Sequence, residues 1–269
     1  MSEHINRLLG IMASLRHPET GCPWDVEQTF ATIVPHTIEE AYEVAETIEQ
    51  GDMAALKGEL GDLLFQVVFY AQMAKEEGLF DFEDVAEAVA DKMVHRHPHV
   101  FSDVKIDTAE AQTSAWEALK DAERRGDRKE ENDGAAAVHS ALDGVITALP
   151  ALSRAEKLQK RAARVGFDWP DAFRVLDKLD EEVAEITHEI ENGGDQERLT
   201  DEVGDVLFVA VNLARKLDID GETALRHANS KFEKRFRRME REVAGQGRQM
   251  SDVPLDELEA VWQRVKSDI

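Results

Sequence analysis

An all-α protein made of two tandem helical bundle units is what this chain of 269 residues predicts. Three observations lead there. Composition is the first: Ala, Leu, Val and Glu abound, aromatics make up 6%, prolines number only 7, and few stretches alternate as a half-buried strand would. Periodicity is the second: Leu176, Leu179, Val183, Ile186 and Ile190 recur at spacings of three and four, the pattern of one helix face. The third is repetition. Glu39, Glu40 and Glu43 are followed by Glu59-Leu60-Gly61-Asp62, and Glu181, Glu182 and Glu185 by Glu202-Val203-Gly204-Asp205. With 56 Asp and Glu against 32 Lys and Arg, one acidic cluster could arise by chance. Two with matched spacing and a matched glycine mark a repeated unit.

In chain order, residues 1–125 form the first expected unit, 126–141 a linker and 142–269 the second. Each unit places a Trp-containing segment before its first cluster, Trp24-Asp25 and Trp169-Pro170-Asp171. In the first, a helix carrying Glu40 and Glu43 stops at Gly51, and Asp52 caps the helix carrying Glu59 and Asp62. Lys92 and Arg96 follow on a third helix; His95, His97 and His99 alternate around Arg96 and Pro98, a spacing suited to a helix end rather than to helical metal ligands. Trp116 and Lys120 close the unit, and Asp133-Gly134 with its Ala-rich neighbours reads as a flexible link. The second unit opens on a basic stripe, Arg154, Lys157, Arg161 and Arg164. Its 176–190 helix stops at Asn192-Gly193-Gly194, and Asp195 caps a helix expected to bury Val203, Val206, Leu207, Ala210 and Leu213. Lys231 and Arg235 lie on one face of a third helix, and Trp262 with Lys266 ends the unit. A helix pair joined by a tight turn would set the two acidic pairs face to face, with the Lys/Arg helix completing a small bundle.

A formal net charge of −24 argues against nucleic-acid and anionic-membrane partners, which need a cationic surface. Cys22 is the single cysteine, so no intrachain disulfide forms. With neither a signal-peptide pattern at Met1-Ser2-Glu3-His4 nor an apolar run near the ~20 residues of a membrane span, a soluble cytoplasmic protein is expected.

Four carboxylates on facing helices, Glu182, Glu185, Glu202 and Asp205, would not all ionise together without a cation, because like charges raise one another's pKa. Mg2+ suits them: it is hard, oxygen-seeking, and keeps room for phosphate oxygens. Lys231 and Arg235 would neutralise those phosphates. The first unit offers a parallel set, Glu40, Glu43, Glu59 and Asp62. A solvated helix face is the plain alternative for either cluster alone. A di-iron site is a sharper rival, since Glu185 and His188 make an E-x-x-H, but the matching place in the first unit is Glu46. Gly61 and Gly204, inside helices, suggest close approach by a neighbouring helix or a ligand. Trp169 and Trp262 could stack on a base or fill a core. No Gly-rich phosphate loop is present, and Cys22 has no nucleophile arrangement around it.

The paired acidic clusters, Gly21-Cys22-Pro23-Trp24-Asp25 and the 157–169 segment from Lys157 to Gly166-Phe167-Asp168-Trp169 together resemble the MazG family of all-α nucleoside triphosphate pyrophosphohydrolases. That resemblance covers nearly the whole chain, the linker least. It implies Mg2+-dependent hydrolysis of NTPs and dNTPs between the α and β phosphates, with Mn2+ able to substitute, and a homodimer whose bundles draw helices from both subunits. It implies Glu182, Glu185, Glu202 and Asp205 as metal ligands, and Lys178, Glu181, Arg198, Lys231, Arg235 and Trp262 as nucleotide contacts. Glu182 or Glu185 would help deprotonate the attacking water, and Lys231 and Arg235 would stabilise the departing pyrophosphate. The second unit is then the hydrolytic one. The first departs from the pattern at His36, where the second has Lys178 three residues before its cluster, and is expected to be structural, regulatory or weakly active. A helical nucleotide-binding regulator without turnover is the alternative.

Overall fold

The structure, a computed structural model, describes residues 2–102, 108 and 140–267. Trp116, Lys120 and all but the end of the expected linker lie outside the described residues. Every regular element among the described residues is helical, eleven α-helices and one short 3-10 turn. The chain divides into two compact units, Met1–Glu131 and Asn132–Ile269.

The first unit contains α1 (Glu3–Leu15), α2 (Pro23–Glu27), α3 (Phe30–Gln50), α4 (Met53–Glu76), α5 (Phe82–Arg96) and α6 (Pro98–Phe101). Thr29 opens α3 with a capping box shared with Thr32, and α3 ends at Gly51 with φ 72°, a left-handed conformation that favours glycine. The Asp52 carboxylate accepts from the N–H groups of Ala54 and Ala55 and starts α4. The resulting α3–α4 hairpin is the framework of the unit, with α1 and α5 laid against α4. Met12, Ile33, Val68, Phe69 and Met73 form its core. Arg16 fastens the Gly21–Asp25 segment to it: its guanidinium donates to Glu76 and to the Asp25 carbonyl while lying 5.3 Å from the Phe69 ring centroid. Gly21 is required there, because a Cβ would collide with the backbone of Leu15 and His17.

The second unit contains α7 (Ala151–Arg164), α8 (Ala172–Asn192), α9 (Gln196–Lys216), α10 (Gly221–Gly245), the 3-10 turn Met250–Asp252 and α11 (Leu255–Ser267). The α8–α9 hairpin repeats the device of the first unit: Gly193 has φ 71°, and Asp195 accepts from the Arg198 N–H. The Gln159 side chain on α7 donates to the Phe208 carbonyl at 2.8 Å, pinning α7 to α9. Asp168 ties the segment before α8 to the end of α9 through Arg215 and, at 2.7 Å, Lys216. Burial pushes the Asp168 carboxyl up, but hydrogen bonds from Arg215 and Lys216 outweigh it and hold the pKa below the usual range. Met239, Val261 and Val265 make a second core between α10 and α11.

The buried face of the hairpin differs from the periodicity reading. Val203 and Leu207 are 47% and 52% exposed and Ala210 is exposed, whereas Val209, Val211 and Asn212 are buried. Val206 and Leu213, expected to be buried, are half-buried. On α8, Leu176, Val183 and Ile190 are exposed too. Helix α9 packs against α7, where Gln159 reaches the Phe208 carbonyl, and the apolar stripe of the hairpin stays exposed among the described residues. The first unit does the same, with Ile38, Tyr42 and Leu60 exposed on α3 and α4.

Candidate metal and nucleotide site

Helical spacing explains the site. On α8, Lys178, Glu182 and Glu185 fall at i, i+4 and i+7, one stripe of the helix facing α9. The α9 cap at Asp195 sets Glu202 opposite them. Glu182, only 4% exposed, half-buried Glu202 and exposed Glu185 each offer a carboxylate oxygen, all within 4.8 Å of one another. Asp205, one turn beyond Glu202, is exposed and lies outside this trio.

The electrostatics follow from that crowding. A hydrogen bond shared with Glu182, some burial, and the negative charges of Glu182 and Glu202 push the Glu185 pKa up, against the opposing pull of Lys178. Lys178 donates to Glu182 at 2.7 Å and to Glu181 at 2.9 Å, and these bonds raise its own pKa. Arg198 lies 3.6 Å from Glu189 rather than on the trio.

The remaining expected contacts lie on α10 and α11. Lys231 is exposed on α10, and Arg235 is half-buried with its Nε enclosed and lacking a hydrogen-bond partner among the described residues. Trp262, on α11, packs 5.4 Å from the Phe232 ring and belongs to the α10–α11 core. Helix α10 packs mainly on α11 and α7 and touches α9 lightly. No ion pair among the described residues joins Lys231 or Arg235 to the carboxylates. The chain therefore brings together Lys178, Glu181, Glu182, Glu185 and Glu202, while Lys231 and Arg235 sit on α10 and Trp262 on α11.

In the first unit Glu40, Glu43 and Glu59 form the matching trio, again with oxygens within 4.8 Å. Burial, then the negative charges of Glu43 and Asp62 and a hydrogen bond with Glu43, raise the Glu40 pKa. His36 lies 3.7 Å from Glu39 and edge-on to the half-exposed Trp24, with ring centroids 5.7 Å apart. His188 is engaged by Asn192, and both trios among the described residues are purely carboxylate, so the E-x-x-H unit of a di-iron site is not assembled.

Gly61 and Gly204 have open space around them: among the described residues, a Cβ at either would meet nothing within 4 Å. Sequence reading missed the Asp168–Arg215–Lys216 tie, since nothing local marks a pair 47 residues apart. The ion pair of Lys178 with Glu182 was signalled by its i, i+4 spacing alone.

The carboxylate trios are hard, oxygen-only donor sets whose mutual repulsion a divalent cation would relieve, so their chemistry fits a metal of the Mg2+ or Mn2+ type. Comparison with known proteins agrees with the repeat. The MazG nucleotide pyrophosphohydrolase domain matches residues 28–101 and again 172–239. A nucleoside triphosphate pyrophosphohydrolase of Escherichia coli (strain K12) is 53% identical over 263 residues, 97% of each chain. A Thermotoga maritima relative, named nucleoside triphosphate pyrophosphohydrolase/pyrophosphatase MazG, is 39% identical over 259 residues, 96% of this chain and 94% of its own. With the domain matched once in each half and relatives aligned along nearly their full length, the chain belongs to the MazG nucleotide pyrophosphohydrolase family.

Proposed function

We propose that the chain is a Mg2+-dependent nucleoside triphosphate pyrophosphohydrolase, converting NTPs and dNTPs to the monophosphate and pyrophosphate by water attack at the α-phosphorus. The carrying observation is the trio Glu182, Glu185 and Glu202 with Lys178 at its edge, in a chain 53% identical to a relative bearing that enzymatic name. Glu182, Glu185 and Glu202, with Asp205 next along α9, would hold the cation. Bound there, it would supply Lewis-acid neutralisation of phosphate oxygens, with Mn2+ an acceptable substitute. Glu182 or Glu185 takes the proton of the attacking water. Lys178, Lys231 and Arg235 hold the phosphates, and Lys231 and Arg235 neutralise the leaving pyrophosphate. Trp262 stacks on the base, and Glu181 and Arg198 line the approach.

A homodimer accounts for the rest of the geometry. The exposed apolar stripe on α8 and α9 and the open space at Gly204 among the described residues both support a bundle completed by a second subunit. The net charge of −24 disfavours nucleic-acid or membrane partners, and no helix among the described residues is long and apolar enough to cross a membrane. We assign the enzyme to the cytoplasm. The domain division is read as 1–125, a linker at 126–141 and a hydrolytic unit at 142–269, with Glu40, Glu43, Glu59 and Asp62 a weaker metal set lacking the lysine of the second. The test is pyrophosphate release from purified protein carrying Glu202→Gln and Asp205→Asn together. Loss of turnover is expected; undiminished turnover means that the reaction occurs elsewhere. Comparing the rates of Glu202→Gln and Glu59→Gln apportions turnover between the units.

A further inference from the structure

We propose that Lys178 is an exchangeable internal counter-ion: it neutralises Glu182 while the carboxylate trio holds no divalent cation, and leaves Glu182 for the triphosphate when a cation binds. This rests on the metal assignment above and adds an order of events to it. Glu182 is 4% exposed, and a carboxylate so enclosed is costly to leave charged without a partner. The Lys178 ammonium supplies that partner at 2.7 Å.

Lys178 is not locked in place. Its side chain is 30% exposed, and its second bond, 2.9 Å long, goes to Glu181, whose side chain is 58% exposed and faces solvent. A lysine has a compact charge on a flexible four-carbon stem, so moving from the inner carboxylate to the outer one needs only side-chain rotation. A divalent cation arriving on Glu182, Glu185 and Glu202 takes over the neutralisation of Glu182. It also repels the ammonium, which turns outward, to the side from which phosphate oxygens would approach. Metal and triphosphate would then bind synergistically: the cation releases a phosphate ligand, and phosphate gives the released ammonium a new partner.

The repeat provides an internal contrast. In the first unit the corresponding residue is His36, which lies 3.7 Å from Glu39, the counterpart of Glu181, with no bond to Glu40, the counterpart of Glu182. That unit has the trio without the exchangeable lysine.

The experiment titrates Mn2+ alone into the full-length protein and measures free Mn2+ by electron paramagnetic resonance. A Glu59→Gln background disables the first trio. Lys178→Met should bind Mn2+ on the order of fivefold tighter than Lys178, the gain from removing a competing ion pair of ordinary strength. In the same variant Mn2+ should strengthen pyrophosphate binding severalfold less than it does with Lys178 present, because only the direct cation–phosphate attraction is left. Unchanged or weaker Mn2+ binding overturns the proposal. A second measurement avoids the variant: the acylation rate of Lys178 in the wild-type chain, followed by mass spectrometry, should rise severalfold on adding Mn2+. A rate that stays level or falls overturns it as well. If the protein binds no Mn2+ at all, the metal assignment fails with it, which distinguishes that failure from the failure of the exchange alone.

Discussion

Replacing Glu202 by Gln should make the cation-free second unit more stable while abolishing its response to metal. Carboxylate oxygens no more than 4.8 Å apart repel by at least about 0.9 kcal/mol in bulk water, or about 3.5 kcal/mol at an effective dielectric near 20. Glu182 is buried and Glu202 half-buried, so their pair lies between those limits, and Lys178 offsets part of it. Removing the Glu202 charge should therefore stabilise the unit by roughly 1–2 kcal/mol, a rise of about 3–8 °C in its transition for a unit of this size. In the unmodified chain, Mg2+ at 100 times its dissociation constant should add about 2.7 kcal/mol by mass action, and the variant should lose most of that gain. Differential scanning calorimetry with EDTA and with Mg2+ reads both effects in one experiment. A variant that melts lower in EDTA and keeps the full Mg2+ response would refute the account of Glu202 as a ligand strained by like charge.

Gly204→Ala has room within the chain and should raise helix stability by up to about 1 kcal/mol, yet it should weaken self-association if a partner helix seats against that face. Sedimentation velocity across a dilution series reads this, and an unaltered dimer would remove Gly204 from the interface. Asp168→Asn should loosen the segment before α8. Because the folded pKa of Asp168 is lowered, its stabilisation is complete above the ordinary carboxyl value near ~4 and is lost as pH falls through the lower folded value, so the variant's deficit should shrink only in acid. Urea midpoints at pH 7 and pH 3 check the sign. Arg235→Ala should raise KM and lower kcat, with little loss of fold, since its Nε has no partner among the described residues to lose; circular dichroism beside steady-state kinetics separates the two.

The hairpins could be read from local signals. Gly51 and Gly193 stop their helices in left-handed conformations, and Asp52 and Asp195 cap the next, because these residue types satisfy helix ends almost irrespective of tertiary context. The trios could be read for the same reason: i, i+3 spacing sets Glu182 and Glu185 on one face, and a short turn fixes which face of α9 they meet. The direction of burial could not. Leu176, Val183, Val203 and Leu207 carry a core-like period, but a period states only that a face is apolar, not whether its cover comes from the same chain. Asp168 with Arg215 was equally hidden, since partners far apart in sequence leave no periodic trace. Lys231 and Arg235 share a helix face as the spacing indicated, yet their distance from the carboxylates depends on packing that periodicity does not encode.

The account depends most directly on the bond that is cleaved. Ion-exchange separation of products from the purified protein with Mg2+ and a panel of NTPs and dNTPs should yield monophosphate and pyrophosphate in equal amounts over many turnovers, and neither from Glu202→Gln. Diphosphate with inorganic phosphate, or stoichiometric binding without turnover, would contradict it.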